Sequence, residues 1–256
     1  MIFPWFERAP LVIGHRGAAR SAPENTLAGF RRALEAGADA VELDAKLTSD
    51  GVVVCHHDRT LERTTNGQGR VLDWTWESLR RLDAGSHFGP AFAGEPIPRL
   101  EDVFAEVGRT LLINVELTNY GSPGDGLPEA VHGLIHRHGL GERVLVSSFN
   151  TRALRRTAGL SPRVPLGLLL RKDQGPLRRA VFPWIAPHEV THLGDSLVTP
   201  TAAERELRRG MHLVVWTVND PGRARELLSL GVHGLITDQP ETLRTIVPNE
   251  PARPSP

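Results

Sequence analysis

The sequence predicts an α/β chain folded as a (β/α)8 TIM barrel with a small insertion after the second strand, and three observations predict it. First, apolar runs such as VLVSS (144–148), LGLLL (166–170) and LVVWTV (213–218) are nearly continuous rather than alternating, as in parallel strands covered on both faces. Second, several runs follow a glycine that closes a helical pattern: Gly37 before ADAVELD, Gly141 before ERVLVSS, Gly210 before MHLVVWTV and Gly231 before VHGLITD. Third, eight such strands, near 11–14, 39–44, 111–116, 143–147, 164–169, 194–198, 212–217 and 232–236, alternate with helices over the span of a barrel. A doubly wound sheet would carry a G-x-G-x-x-G loop after its first strand, and GHRGAA (14–19) lacks that spacing.

Each element has a local reason. In the first helix Leu27, Phe30 and Leu34 recur at three and four residues and form one buried stripe. VVVCHHD (52–58) follows the second strand after only Thr48-Ser49-Asp50-Gly51, too short for a crossover helix, so it reads as the return arm of a hairpin. That turn sets Leu47 against Val52 and Asp44 against Cys55, and returns His57 to the level of Glu42 and Asp44. Residues 59–98, with Trp74, Trp76, Pro90, Pro96 and Pro98, read as an insertion over the barrel mouth with a short helix near 75–82. Thr199-Pro200 and Asp220-Pro221 each place a capping side chain before proline at the first helical position. Residues 1–247 are expected to form one barrel domain, and PNEPARPSP (248–256) a disordered tail.

Composition narrows the function. Thirty basic residues balance thirty acidic ones, which argues against a nucleic-acid-coating surface. A single cysteine, Cys55, excludes a disulfide framework and a cysteine zinc site. No run approaches the ~18 apolar residues of a spanning helix. Residues 1–10 are too polar for a secretory signal, so the expected address is cytoplasmic, with no membrane span. Lys46 and Lys172 are the only lysines, and neither ends a strand, which argues against a Schiff-base aldolase. The segment 13–17 has one histidine rather than the His-x-His of a zinc amidohydrolase.

In such a barrel the chemistry sits at the carboxyl ends of the strands. Glu42 and Asp44 are two apart on a strand and share a face; Glu116 from the adjacent strand makes three carboxylates in one place. Carboxylates inside apolar strands need an offsetting charge, and all-oxygen ligands favour one hard divalent cation, Mg2+ or Ca2+. His15 and His57 flank this site and titrate near neutrality, which suits an acid/base pair; His56 points to the opposite face. Arg16 carries a permanent charge for a phosphate. Trp216 ends a strand inside the barrel and reads as core or as an apolar wall for a substrate's carbon skeleton.

In order, GHRG (14–17), PENT (23–26), VELDAKLTSDG (41–51), HHD (56–58), IPRLED (97–102), NVEL (114–117), SSF (147–149), WTVND (216–220) and GVHGLITDQP (231–240) resemble the motifs of the glycerophosphodiester phosphodiesterases, over nearly the whole chain to about residue 245. The resemblance implies a TIM barrel with His15 and His57 as the acid/base pair, Glu42, Asp44 and Glu116 on one divalent metal, Arg16 on the phosphate and Trp216 on the glycerol side. It implies release of glycerol-3-phosphate and an alcohol from a small glycerophosphodiester. Lysophospholipid cleavage and a non-catalytic phosphodiester-binding barrel are the alternatives. The chain departs from the family at Thr118, where a lysine is usual two residues after the third metal ligand, and at His233, where aspartate is commoner.

Overall fold

The structure, a computed structural model, describes residues 4–119 and 124–247, so the tail expected at 248–256 lies outside the described residues. The chain runs β1 (Leu11–Gly14), α1 (Leu27–Glu35), β2 (Ala40–Leu47), β3 (Val53–Cys55), α2 (Trp76–Leu79), α3 (Leu100–Val107), β4 (Leu112–Leu117), α4 (Leu127–Arg137), β5 (Val144–Ser148), α5 (Thr151–Ala158), β6 (Leu166–Leu170), α6 (Pro176–Ile185), β7 (Val190–Gly194), α7 (Pro200–Arg208), β8 (His212–Trp216), α8 (Pro221–Ser229), β9 (Gly234–Thr237) and α9 (Pro240–Arg244). Parallel pairing of β1 with both β2 and β9 closes an eight-stranded barrel, and β3 adds antiparallel to the outer end of β2.

The strands are apolar on both faces because each face has its own core. Val12, Val41, Leu43, Val115, Leu168 and Val215 pack outward against the helices. Leu11, Ile13, Ala40, Leu145, Val190, Val214 and Ile236 fill the barrel's amino-terminal interior, closed from below by Trp5 and Phe6. Side chains alternate with period two, so the inward set on β2 is Ala40, Glu42, Asp44 and Lys46. On β4 and its extension the inward set is Leu112, Asn114, Glu116 and Thr118. Along β2 and β4 the interior therefore changes from an apolar floor to a charged mouth.

Helix starts follow the sequence. Thr26, Thr199 and Asp220 accept from the backbone N–H groups of Gly29, Ala202 and Arg223, with proline at the first position of α7 and α8. The insertion has a small core of its own, Leu61, Val71, Leu79, Ala84 and Ile97 on Val54 of β3, with Trp74 and Trp76 packed against it. Its helix is only Trp76–Leu79, shorter than the expected 75–82.

Three expectations are corrected. The strand expected at 194–198 is β7, Val190–Gly194; Asp195–Leu197 is a 3-10 turn leading into the Thr199 cap. Thr191 and His192 interrupt its apolar pattern, yet both are buried, Thr191 donating to Glu206 of α7 at 3.2 Å. The hairpin register is one residue off: Thr48 already pairs with Val52, leaving a three-residue loop with Gly51 at φ 81°, so Leu47 faces Val53 and Ala45 faces Cys55. The N–H donating to the Asp44 carbonyl is thus that of His56, at 2.9 Å. Finally, Gly139 rather than Gly141 takes the left-handed conformation after α4, with φ 65°.

Candidate active site

All seven candidate residues lie at the carboxyl end of the barrel. β1 delivers His15, whose N–H continues the ladder to the Thr237 carbonyl at 2.8 Å. Its Nδ1 lies 2.6 Å from Asp238 Oδ1. Asp238 in turn accepts from Asn219 Nδ2 at 2.6 Å, and Asn219 Oδ1 accepts from the Asp238 N–H and the Thr237 hydroxyl. Burial works to raise the Asp238 carboxyl, but the hydrogen bond and charge of His15 outweigh it and hold the group below the usual carboxylate range. A carboxylate on Nδ1 fixes that nitrogen as the donor, leaving Nε2 for the site.

Arg16 follows in a left-handed conformation, φ 52°, rare for an arginine. The turn is held because its N–H donates to Glu42 Oε2 at 3.0 Å and its guanidinium donates to Glu24 at 2.8 Å, with Nε 3.3 Å from Asp44. Gly17, at φ 91°, packs the turn on α1: a Cβ there would stand 2.6 Å from the Gly29 carbonyl oxygen. Asn25 clamps Asp44 from both sides, donating Nδ2 to Oδ2 at 2.9 Å and accepting the Asp44 N–H at 3.1 Å.

His57 leaves β3 with its Nδ1 2.6 Å from Asp58 Oδ1. Asp58 pairs with Arg63, and Arg63 donates twice to Glu24, at 2.8 and 2.6 Å. An alternating chain of charges, His57–Asp58–Arg63–Glu24–Arg16–Asp44, thus ties one histidine to the acidic centre. Burial opposes ionisation of Glu24 and Asp58, but their arginines and His57 prevail and bring both to about 2. His56 turns away, its Nε2 bonded to the Thr60 carbonyl at 2.9 Å.

Carboxylate oxygens of Glu42, Asp44 and Glu116 lie within 4.8 Å of one another, with Glu42 and Asp44 buried. At that separation each like-charge pair costs about 3–4 kcal/mol at an effective dielectric near 20. A net hydrogen bond returns only about 1 kcal/mol. Burial, then the charges of Asp44 and Glu116, push the Glu42 carboxyl well above its ordinary value. Asp44 is lowered: burial opposes, but Arg16, His57, Asn25 and Lys46 together prevail. Three carboxylates against two nearby cations, with oxygen donors only, fit a hard divalent ion.

The second of those cations, Lys46, lies beyond the β2 residues that the sequence marks as a strand end, next to the hairpin turn. It shares the inward face with Glu42 and Asp44, and its Nζ donates to Thr118 Oγ1 at 2.7 Å, while Thr118 donates to the Ala45 carbonyl. Lys46 thus brings an ammonium from β2 to the Thr118 hydroxyl, the place where the resemblance implies a lysine. The period-two count 42, 44, 46 was the signal. Asp238, Asn219, Asn25 and Glu24 were likewise given no role, though WTVND, TDQP and PENT contain them. Trp216 ends β8 half-buried, its indole edge-on to Phe149 at 5.5 Å between centroids.

A closed parallel barrel whose mouth joins an acidic triad to two aspartate-held histidines and the half-buried Arg16 is a (β/α)8 site equipped for chemistry on an anionic substrate. The chain belongs to the glycerophosphoryl diester phosphodiesterase family, whose model it matches over residues 15–242. It is 40% identical over 242 residues to a glycerophosphodiester phosphodiesterase of Caldanaerobacter subterraneus subsp. tengcongensis, covering 93% of this chain and 97% of that one. A phosphodiesterase of Oleispira antarctica, solved in complex with the product sn-glycerol-3-phosphate, superposes with a TM-score of 0.83 at 28% identity, over 94% of this chain and 98% of that one. A putative glycerophosphoryl diester phosphodiesterase of Silicibacter pomeroyi gives 0.83 at 27% identity, over 96% and 97% of the two chains. Among the described residues no helix is long and apolar enough to cross a membrane.

Proposed function

We propose that the chain hydrolyses glycerophosphodiesters to glycerol-3-phosphate and an alcohol, with one divalent cation, Mg2+ or Ca2+, on Glu42, Asp44 and Glu116, and with His15 and His57 as the proton-transfer pair. The observation that carries this is the presence, at one barrel mouth, of an acidic triad and two imidazoles, each held at Nδ1 by an aspartate at 2.6 Å. A dication held by Glu42, Asp44 and Glu116 would supply charge neutralisation to the phosphate. Arg16 and Lys46 add fixed positive charge around the same phosphate, and Trp216 with Phe149 offers an apolar wall to the glycerol carbons.

One histidine takes the proton of the nucleophile, which is water or the substrate's own neighbouring glycerol hydroxyl. The bond from phosphorus to the alcohol oxygen breaks, and the other histidine gives its proton to that alkoxide. In the hydroxyl route a cyclic phosphate forms first and water then opens it. Each transfer contributes about 10²–10⁴ in rate. Alkyl alkoxides are poor leaving groups and p-nitrophenolate a good one. Of His15→Ala and His57→Ala, therefore, the variant lacking the acid loses far more activity on glycerophosphocholine than on bis(p-nitrophenyl) phosphate. Equal losses on both substrates, in both variants, contradict this division of labour.

A further inference from the structure

A cavity of about 620 Å³ opens beside His57, between the outer end of β2, the insertion and the segment after β4. That volume suits a second small polar group beside the reacting phosphate. In the ring of eight strands β4 stands diametrically across from β8, so the cavity wall formed by Thr118 and Asn119 after β4 lies across the mouth from Trp216. With the glycerol against Trp216, the cavity is the place for the leaving alcohol.

Its charges are lopsided in a chain whose net charge is zero. Lys46, Arg59, Arg70 and Arg171 line it, against Asp58 and Asp125. Both acids are already engaged: Asp58 with His57 and Arg63, Asp125 as acceptor from the Asn119 amide and the Leu127 N–H. Among the cations, Lys46 bonds to the neutral Thr118 hydroxyl, and Arg59 forms no ion pair among the described residues. Arg70 and Arg171 pair with exposed Asp73 and Asp173 at the rim. Recognition of a quaternary ammonium uses aromatic faces or free carboxylates. Phe149, the ring beside Arg171 of this lining, already has its face covered by that guanidinium, 5.2 Å from the ring centroid.

We infer that this cavity is a leaving-alcohol subsite selecting alcohols that carry their own anionic group, a phosphate or a carboxylate, over cationic ones. The inference rests on the phosphodiesterase reading above and names its substrate class. Arg59 and Arg70 act as a rim that draws the second anion in, while Lys46 faces it from the floor.

The test compares kcat/KM at low ionic strength for three substrates. Bis(glycerophospho)glycerol has an alcohol bearing an anionic phosphodiester, glycerophosphoglycerol a neutral one and glycerophosphocholine a cationic one. The expected order is anionic over neutral over cationic, each step about threefold to tenfold, and compressed by added salt. The ratio of anionic to neutral substrate falls toward one in Arg59→Ala and in Arg70→Ala. Both side chains are exposed, and unchanged thermal melting shows that these variants fold. A flat ranking, or a preference for glycerophosphocholine, overturns the inference while the phosphodiesterase reading stands. Failure to cleave any of the substrates overturns both.

Discussion

Replacing Asp238 by asparagine tests whether the barrel's closing strand controls the chemistry through His15. The two side chains have nearly the same volume, and Asn219 still donates to the retained oxygen. What changes is the atom 2.6 Å from His15 Nδ1. An amide NH2 there opposes a protonated Nδ1, so the imidazole proton moves to Nε2 and the ring presents the wrong tautomer to the substrate. In a serine-protease triad the equivalent change costs about 10⁴ in kcat. Here His15 keeps its backbone anchor to the Thr237 carbonyl, so the expected loss is about 10²–10³ in kcat, or 3–4 kcal/mol, with KM within about twofold. The assay is steady-state release of glycerol-3-phosphate from glycerophosphocholine, with thermal melting as the check on folding. A His15→Ala/Asp238→Asn double variant should be no slower than His15→Ala alone. An Asp238→Asn enzyme within about threefold of wild type refutes the reasoning, because proton transfer would then not depend on that tautomer.

Arg63→Ala tests the charge chain that leads from His57 to Asp44. Arg63 helps hold Glu24 and Asp58 at about 2, below their ordinary values of 4.5 and 3.8. Because these folded-state values are depressed, the stability they confer is full above about pH 4.5 and is lost as pH falls toward 2. The stability gap between wild type and Arg63→Ala, read from melting, is therefore widest near neutrality, at about 1–2 kcal/mol after solvent screening, and closes on acidification; a gap independent of pH contradicts the assignment. Lys46→Met is expected to lower kcat/KM by about 10- to 100-fold, since a charge-assisted contact to phosphate is lost in a low-dielectric site. Lys46→Met/Thr118→Lys should recover part of that loss by returning the ammonium from β4; no loss in the single variant shows that Lys46 has no part in phosphate binding.

The barrel was legible because parallel strands buried on both faces leave continuous apolar runs, and because Thr199-Pro200 and Asp220-Pro221 mark helix starts without ambiguity. β7 was displaced by four residues because its inward His192 and outward Thr191 look polar in sequence. Thr191 is buried because Glu206, fifteen residues on, takes its hydroxyl, which no local pattern reveals. The hairpin slipped by one because Thr48 belongs to the ladder and Gly51 takes the left-handed place in a three-residue loop. The acidic triad was legible from period-two spacing on one strand plus one neighbour. The groups that orient the histidines were not. Asp238 lies 223 residues from His15, and only barrel closure between β9 and β1 brings them together. Asn25 reaches Asp44 because the loop after β1 folds back over the mouth. Lys46 follows from the same period-two spacing as Glu42 and Asp44, but the expected strand stops at residue 44 and the structure carries β2 on to Leu47.

The central claim is that a divalent cation on Glu42, Asp44 and Glu116 works with two histidines on a glycerophosphodiester. Its most direct test is glycerol-3-phosphate release from glycerophosphocholine by metal-stripped protein, with Mg2+ or Ca2+ restored separately and Glu42→Gln run alongside. The account predicts no release without metal, recovery with one or both ions, and no recovery in Glu42→Gln. Undiminished release after stripping, or full recovery in Glu42→Gln, would contradict it.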